Sequence, residues 1–175
     1  TLNNRTVVII TLLLASLPLI VLGGFRDASV GTDTSNIYYL YYFLPYSVRN
    51  ASLPRKEFGF VLLIKAARTI WGVDYTWMLV MICAFTTIVS MIGILKSSSK
   101  CKAFYVALIY LCFLYFDSFN IMRQMCAVSI IFAALHFIEE RKPFRFFVAV
   151  ILATCFHNSA VVCLFILLCY FVRGN

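Results

Sequence analysis

The chain has 175 residues, of which 63% are hydrophobic and 13% are charged, and its mean hydropathy is +0.94. This composition excludes a disordered chain and argues against a soluble single core, because too few polar residues remain to cover the apolar ones. The net charge of +8 comes from basic residues at the ends of apolar runs. It therefore indicates bilayer orientation and anionic lipid, with no nucleic acid as a partner.

The apolar runs are continuous rather than alternating, which favours membrane helices over a β-barrel. The first run is Thr6–Leu22, and Pro18 should kink its far end. The tyrosine-rich and basic segment 23–73 is predicted to be an extracytoplasmic loop that lies on the membrane, with an interfacial amphipathic helix over Glu57–Trp71. Five further runs are predicted to be spans, at Tyr75–Leu95, Ala103–Phe116, Met125–Ile138, Phe144–Phe156 and Ala160–Val172.

The predicted fold class is therefore an all-α, polytopic helical membrane protein with about six transmembrane helices. Residues 1–175 are expected to form a single transmembrane domain, the N-terminal part of a longer protein. Two dense basic loops, at Lys96–Lys102 and Arg141–Arg145, lie on the same side of the membrane in this topology. The positive-inside rule then places that side, and the N-terminus, in the cytoplasm.

This orientation brings three polar interruptions to the extracytoplasmic level: Arg26–Asp33, Asn120–Gln124 and His157–Ser159. The apolar runs that flank the last two are short. Fourteen residues rise about 21 Å, against about 30 Å for the hydrocarbon core. We therefore expect a recessed polar pocket that opens outward.

Among the residues of these interruptions, Arg123 indicates a function most strongly. An arginine at that depth in the membrane raises the free energy by at least ~2.5 kcal/mol unless it reaches water or an anion. It either snorkels or clamps a phosphate at a helix N-terminus. Arg26 and Asp33 either belong to a solvated turn or form an anion site with a nearby carboxylate. His157 is either a hydrogen-bonded structural residue or an acid–base group.

The sequence offers no sign of a metal site. None of the seven cysteines forms a C-x-x-C pair, and all but Cys101 lie in apolar runs, where they resemble small buried hydrophobes. We find no H-E-x-x-H, G-x-S-x-G or phosphate-binding G-x-x-x-x-G-K pattern. We therefore expect neither a metal nor another cofactor.

Four short motifs occur in one order along nearly the whole chain. They are Arg26-x-x-x-x-Gly31-Thr32-Asp33-x-x-x-x-Tyr38, Glu57-Phe58-Gly59-Phe60, Arg123-Gln124 at the start of a span, and Phe156-His157-x-Ser159. Together with the topology, they resemble the EpsG-like exopolysaccharide polymerases, relatives of the Wzy-type O-antigen polymerases. Proteins of this kind are usually longer, with further spans after this point.

The resemblance implies a GT-C-like, metal-independent glycosyltransferase of the bacterial inner membrane, with its active site facing the periplasm or cell exterior. It would polymerise oligosaccharide repeat units carried on undecaprenyl pyrophosphate into exopolysaccharide, capsule or O-antigen. Membrane lipid and other polysaccharide assembly proteins are candidate partners. The leaving pyrophosphate calls for arginine, and the attacking sugar hydroxyl calls for a base.

Site residues follow from matching these motifs. Asp33 and His157 are the catalytic candidates, and Asp33 is preferred because it shares a loop with Arg26, which could hold it in an ion pair. The pyrophosphate and sugar are expected to contact Arg26, Arg123, Gln124, Tyr38 and Ser159.

Two other classes of function remain open. One is another lipid-pyrophosphate-using transferase or ligase. The other is a polysaccharide or lipid transporter subunit, which is disfavoured because the centres of the spans lack Asp, Glu, Lys and Arg.

Overall fold

The computed structural model describes residues 4–36, 57–72, 74–97 and 103–172, and all regular structure in these ranges is helical. The labelled α-helices are α1 (Asn4–Gly24), α2 (Phe58–Trp71), α3 (Tyr75–Ser97), α4 (Ala103–Ile109), α5 (Met122–Ala134), α6 (His136–Glu139), α7 (Pro143–Thr154) and α8 (Leu164–Val172), and residues 32–36 are helical as well. A π-helical stretch, Tyr110–Tyr115, extends α4, and 3₁₀ turns lie at Asp117–Phe119 and Asn158–Cys163. The all-α prediction is confirmed for these residues.

Two helical stretches are long and apolar enough to cross a membrane, Tyr75–Lys96 and Met122–Glu139. Four further apolar helices are shorter, at Ile9–Gly24, Tyr105–Phe119, Pro143–Thr154 and Asn158–Val172. These six segments coincide with the six predicted spans, but only two of them reach spanning length in the described part of the chain. The polar residues after Phe116 and Phe156 turn the backbone into 3₁₀ geometry, which ends the neighbouring helices early.

The long helix α3 lies at the centre of the bundle. It packs against α1 on one side and α5 on the other, and α5 in turn packs against α7. The side chains of Met78, Leu79 and Ile82 are at most 1% exposed, as expected for a helix surrounded by apolar neighbours. Within an apolar bilayer these helices are held by close van der Waals packing rather than by transfer out of water, and this packing fixes where the helix ends meet.

The amphipathic helix predicted over Glu57–Trp71 is confirmed as α2, which packs against α3. Its buried residues recur at helical spacing: Gly59, Phe60, Ile64 and Ala67. Gly59 makes the closest approach, because its N–H donates to the carbonyl of Cys155 at 2.8 Å. A Cβ atom at this position would lie 3.0 Å from that same oxygen, so a glycine lets the start of α2 dock on the end of α7.

Candidate functional site

The structure brings the three polar interruptions together at one end of the bundle. Thr32, in the first interruption, donates its N–H to the Asn120 side-chain oxygen at 3.2 Å and its hydroxyl to the Asn120 carbonyl at 3.1 Å. His157, in the third, connects to Arg123 in the second through a carboxylate described below. The loop after α1, the start of α5 and the turn after α7 therefore form one polar surface.

Gly31 is required for this junction. Its φ is +92°, and an added Cβ would collide with the carbonyl oxygen of Phe119. We expect Gly31→Ala to lower the free energy of unfolding by at least the roughly 1–2 kcal/mol of left-handed strain, plus the collision. Gly72→Ala is the matched control, since Gly72 also has a positive φ, +74°, but no atom within 4 Å of its Cβ position. Thermal unfolding in detergent would test this, and equal losses in both variants would contradict it.

The centre of the site is Glu57, whose side chain is 6% exposed. One carboxylate oxygen, Oε2, accepts a hydrogen bond from Nη1 of Arg123 at 2.9 Å. The other, Oε1, lies 2.8 Å from Nδ1 of His157. A single buried carboxylate thus positions a cation from α5 and an imidazole from the turn after α7.

The position of Glu57 follows from local structure. It is the residue just before α2, and the docking of Gly59 on Cys155 places it beside the turn that carries His157. Arg123 is the second residue of α5, so its guanidinium reaches the same point from the helix N-terminus. The arginine and histidine side chains are 34% and 27% exposed, so both reach solvent while their carboxylate partner is buried.

Asp33 lies at the edge of this cluster and is partly buried. Partial burial raises the pKa of its carboxyl above the ordinary value. The guanidinium of Arg123, a backbone hydrogen bond with Met122 and the nearby His157 act in the opposite direction. Asp33 therefore belongs to the same electrostatic cluster as Glu57, Arg123 and His157.

Arg26 occupies a different environment from the one predicted. It is 8% exposed and points into the protein, where its guanidinium donates to the carbonyl of Gly23 and the hydroxyl of Thr34, and contacts the sulfurs of Cys83 and Met122. It also lies over the Phe119 ring at 4.5 Å. The predicted pairing of Arg26 with Asp33 is thus replaced by internal contacts that pin the loop to α3 and α5, and Arg123 is the cation that acts on Asp33.

The remaining predicted site residues divide into two groups. Gln124 and Ser159 are exposed and line one groove beside the charged cluster. Tyr38 lies outside the described residues. In the described ranges, no group of three or more His, Cys, Asp and Glu side chains could hold a metal ion.

Glu57 is the residue that the sequence reasoning did not assign to the site, although its motif was noted. In the sequence, Glu57 is a single acidic residue at the start of an amphipathic helix, and it is followed by Phe58-Gly59-Phe60. This pattern gives no indication of burial. The contact with His157 spans 100 residues of sequence and becomes visible only when α2 is docked.

These features define an all-helical, membrane-type protein with a charged cluster at one end of its bundle. The chain belongs to the EpsG family, whose model matches residues 9–175. The family resemblance seen in the sequence is therefore confirmed, and it associates the chain with exopolysaccharide synthesis. Comparison with curated proteins and with solved structures gave no match.

The arrangement predicts a specific effect for Glu57→Gln, which keeps the size of the side chain but removes its charge. Arg123 would lose a neutralising partner and bind an anion at least as well, whereas the His157 ring would lose its orienting carboxylate. For an acid–base reaction at this site, we expect kcat to fall about tenfold or more while KM for an anionic substrate does not rise. Glu139→Gln, an exposed acid at the end of α6, is the control. A parallel loss of folded protein and activity, with unchanged kcat per folded molecule, would contradict the positioning role.

Proposed function

We propose that this protein polymerises lipid-linked oligosaccharide repeat units, carried on undecaprenyl pyrophosphate, at the outer face of the bacterial inner membrane. The observation that supports this most strongly is the Glu57 carboxylate, which holds Arg123 and His157 side by side at 2.9 and 2.8 Å. Polymerisation requires a cation for a pyrophosphate leaving group and a base for a sugar hydroxyl. The cluster supplies one of each at a single point.

In the proposed reaction, a hydroxyl oxygen of the acceptor repeat unit attacks the anomeric carbon of the donor chain. The bond between that carbon and the pyrophosphate oxygen breaks, and the bonding electrons leave with the lipid pyrophosphate. The hydroxyl proton passes to a base on the protein. One glycosidic bond forms and one glycosyl–phosphate bond is lost, so the reaction consumes no other reagent.

Arg123 is proposed to bind the leaving pyrophosphate. Among its contacts with described residues, one N–H donor is directed to Glu57, and a guanidinium has five such donors. The remaining guanidinium donors offer an anion several hydrogen bonds, while the first backbone N–H of α5, that of Met122, already bonds to Asp33. Charge developing on the leaving oxygen would strengthen these bonds in the transition state.

His157 is proposed to be the base. Its Nδ1 faces a carboxylate oxygen of Glu57, an arrangement that favours a proton on Nδ1 and leaves the Nε2 lone pair available for the acceptor hydroxyl. Asp33, preferred from the sequence alone, lacks its expected partner Arg26. We assign Asp33 instead to orienting the acceptor sugar through hydrogen bonds, next to the same cluster.

Lipid analysis of cells from which the protein has been deleted tests the proposed function. We expect single repeat units on undecaprenyl pyrophosphate to accumulate and polymer to disappear, with both effects reversed by the wild-type chain. Polymer that still forms but stays on its lipid carrier would instead indicate a ligase. Loss of lipid-linked units from the outer face, with units retained inside, would indicate a transporter.

A further inference from the structure

A groove of about 530 Å³ lies along α5, and two of its lining residues, Gln124 and Ser159, are close in sequence to members of the charged cluster. One wall is a stripe of α5 side chains at helical spacing, and the other comes from the 3₁₀ turn and the start of α8. The residues that matter here are Ala127, Val128, Ile131 and Leu135 on the first wall and Val162 and Ile166 on the second. The groove is lined almost wholly by apolar atoms, and Leu135 and Val162 are exposed, so it opens to the surroundings of the protein.

The two ends of the groove differ. One end holds Gln124, the residue after Arg123, and Ser159, which lies two residues after His157. The other end, at Leu135, lies eleven residues further along, a rise of about 16 Å, or about half of the hydrocarbon thickness. The groove itself is lined by uncharged residues, and the cation Arg123 directly precedes its lining residue Gln124. A cation beside a hydrogen-bonding end, followed by an apolar trough, is complementary to a molecule with an anionic head and a hydrocarbon chain.

We propose that this groove binds the polyprenyl chain of the lipid pyrophosphate, with the pyrophosphate at Arg123 and the first isoprene units between α5 and the Asn158–Ile166 segment. The proposal rests on the proposed function for the identity of the head group. The new element is that the protein binds the polyprenyl chain of the carrier lipid, which would otherwise lie in the bulk bilayer. Because the alternative environment of the chain is an equally apolar bilayer, its affinity for the groove comes from van der Waals packing and from the head group rather than from transfer out of water.

Photolabelling in vesicles of phosphatidylethanolamine and phosphatidylglycerol tests this with the full chain. The probe is undecaprenyl pyrophosphate with a diazirine in its first isoprene units. We expect labelling of peptides that contain Val128, Ile131 and Val162, competed by unlabelled undecaprenyl pyrophosphate but not by excess phosphatidylglycerol. Labelling spread over other exposed faces, such as Val148 on α7, or insensitive to the competitor, would overturn the proposal.

Variants that fill the groove with a tryptophan side chain provide a second test of the lipid site. Val128→Trp should lower competed labelling about tenfold or more, whereas Val148→Trp, the same change at an exposed α7 residue outside the groove, should leave it unchanged. Val162→Trp, on the opposite wall where the side chain is 61% exposed, should lower competed labelling in the same way even if Val128→Trp fails to fold. Equal effects of the Val128 and Val148 changes would overturn the proposal.

The same experiment separates this inference from the proposed function. Competed labelling of the groove without any polymerisation would leave the lipid site standing and remove the polymerase assignment. Polymerisation without labelling of the groove would support the polymerase assignment and overturn the lipid site. A photoreactive amino acid at Val162 that captures another segment of this chain or a second copy would show that protein covers the groove, which also overturns the proposal.

Discussion

Arg123→Ala is expected to lower the rate of polymer formation by 10² or more. The guanidinium is the cation of the charged cluster that is bound to Glu57 and 34% exposed, so it is both oriented and accessible to an anion. Removing one preorganised donor that stabilises developing charge costs roughly 2.7–4 kcal/mol in other enzymes. Arg123→Lys should recover only part of the activity, because an ammonium cannot form the bidentate fork with phosphate oxygens.

Arg145→Ala is the matched control for this prediction. Arg145 is an exposed arginine in the first turn of α7 that lies over the Phe137 ring, away from the Glu57 cluster. The measurement is the chain-length distribution of polymer made by equal amounts of folded protein. Wild-type chain lengths in Arg123→Ala would remove Arg123 from the site.

Arg26→Ala should behave differently from Arg123→Ala, and the contrast separates the two arginines. Arg26 contacts α3 through Cys83, α5 through Met122 and the Phe119 ring, so its loss leaves several groups of the loop and of α5 without a partner. The main effect expected is loss of folded protein rather than a lower rate per folded molecule. A normal yield of folded but inactive Arg26→Ala would return Arg26 to the substrate site.

The helices of the bundle could be predicted because hydrophobic runs determine them directly. The run Tyr75–Leu95 differs from α3 by two residues at one end, and the amphipathic spacing after Glu57 gave α2. The meeting of the three polar interruptions also followed from topology alone, since alternating spans return the chain to the same level. These are local or counting arguments, and they need no knowledge of side-chain packing.

The partners within the site could not be predicted in the same way. Arg26 and Asp33 are close in sequence, which suggested an ion pair, but a carbonyl, a hydroxyl, two sulfurs and a ring satisfy the arginine inside the bundle. Glu57 is buried where the start of α2 contacts the end of α7, a contact in which Gly59 donates its N–H to the Cys155 carbonyl. Both outcomes depend on contacts between distant segments, which a single sequence does not reveal.

Substitution of the proposed base, His157, is the second change for which we expect a large loss of polymerisation rate. His157→Gln keeps a group that can hydrogen-bond to Glu57 but cannot accept the acceptor proton, so the rate should fall by 10²–10⁴. Asp33→Asn keeps the hydrogen-bonding shape of a side chain that we assign to orientation, so its loss should be about tenfold or less. The control is His136→Gln in α6, where Nδ1 lies 2.7 Å from the carbonyl oxygen of Ala133 and neither of the site acids Asp33 and Glu57 makes a contact. Rates per folded molecule should be measured for all three variants with one donor.

If Asp33→Asn abolishes polymer while His157→Gln retains most of it, the roles are reversed and Asp33 is the base. Full activity in both would place the base outside Asp33 and His157, and the Glu57–His157 contact would then serve only to hold α2 against α7.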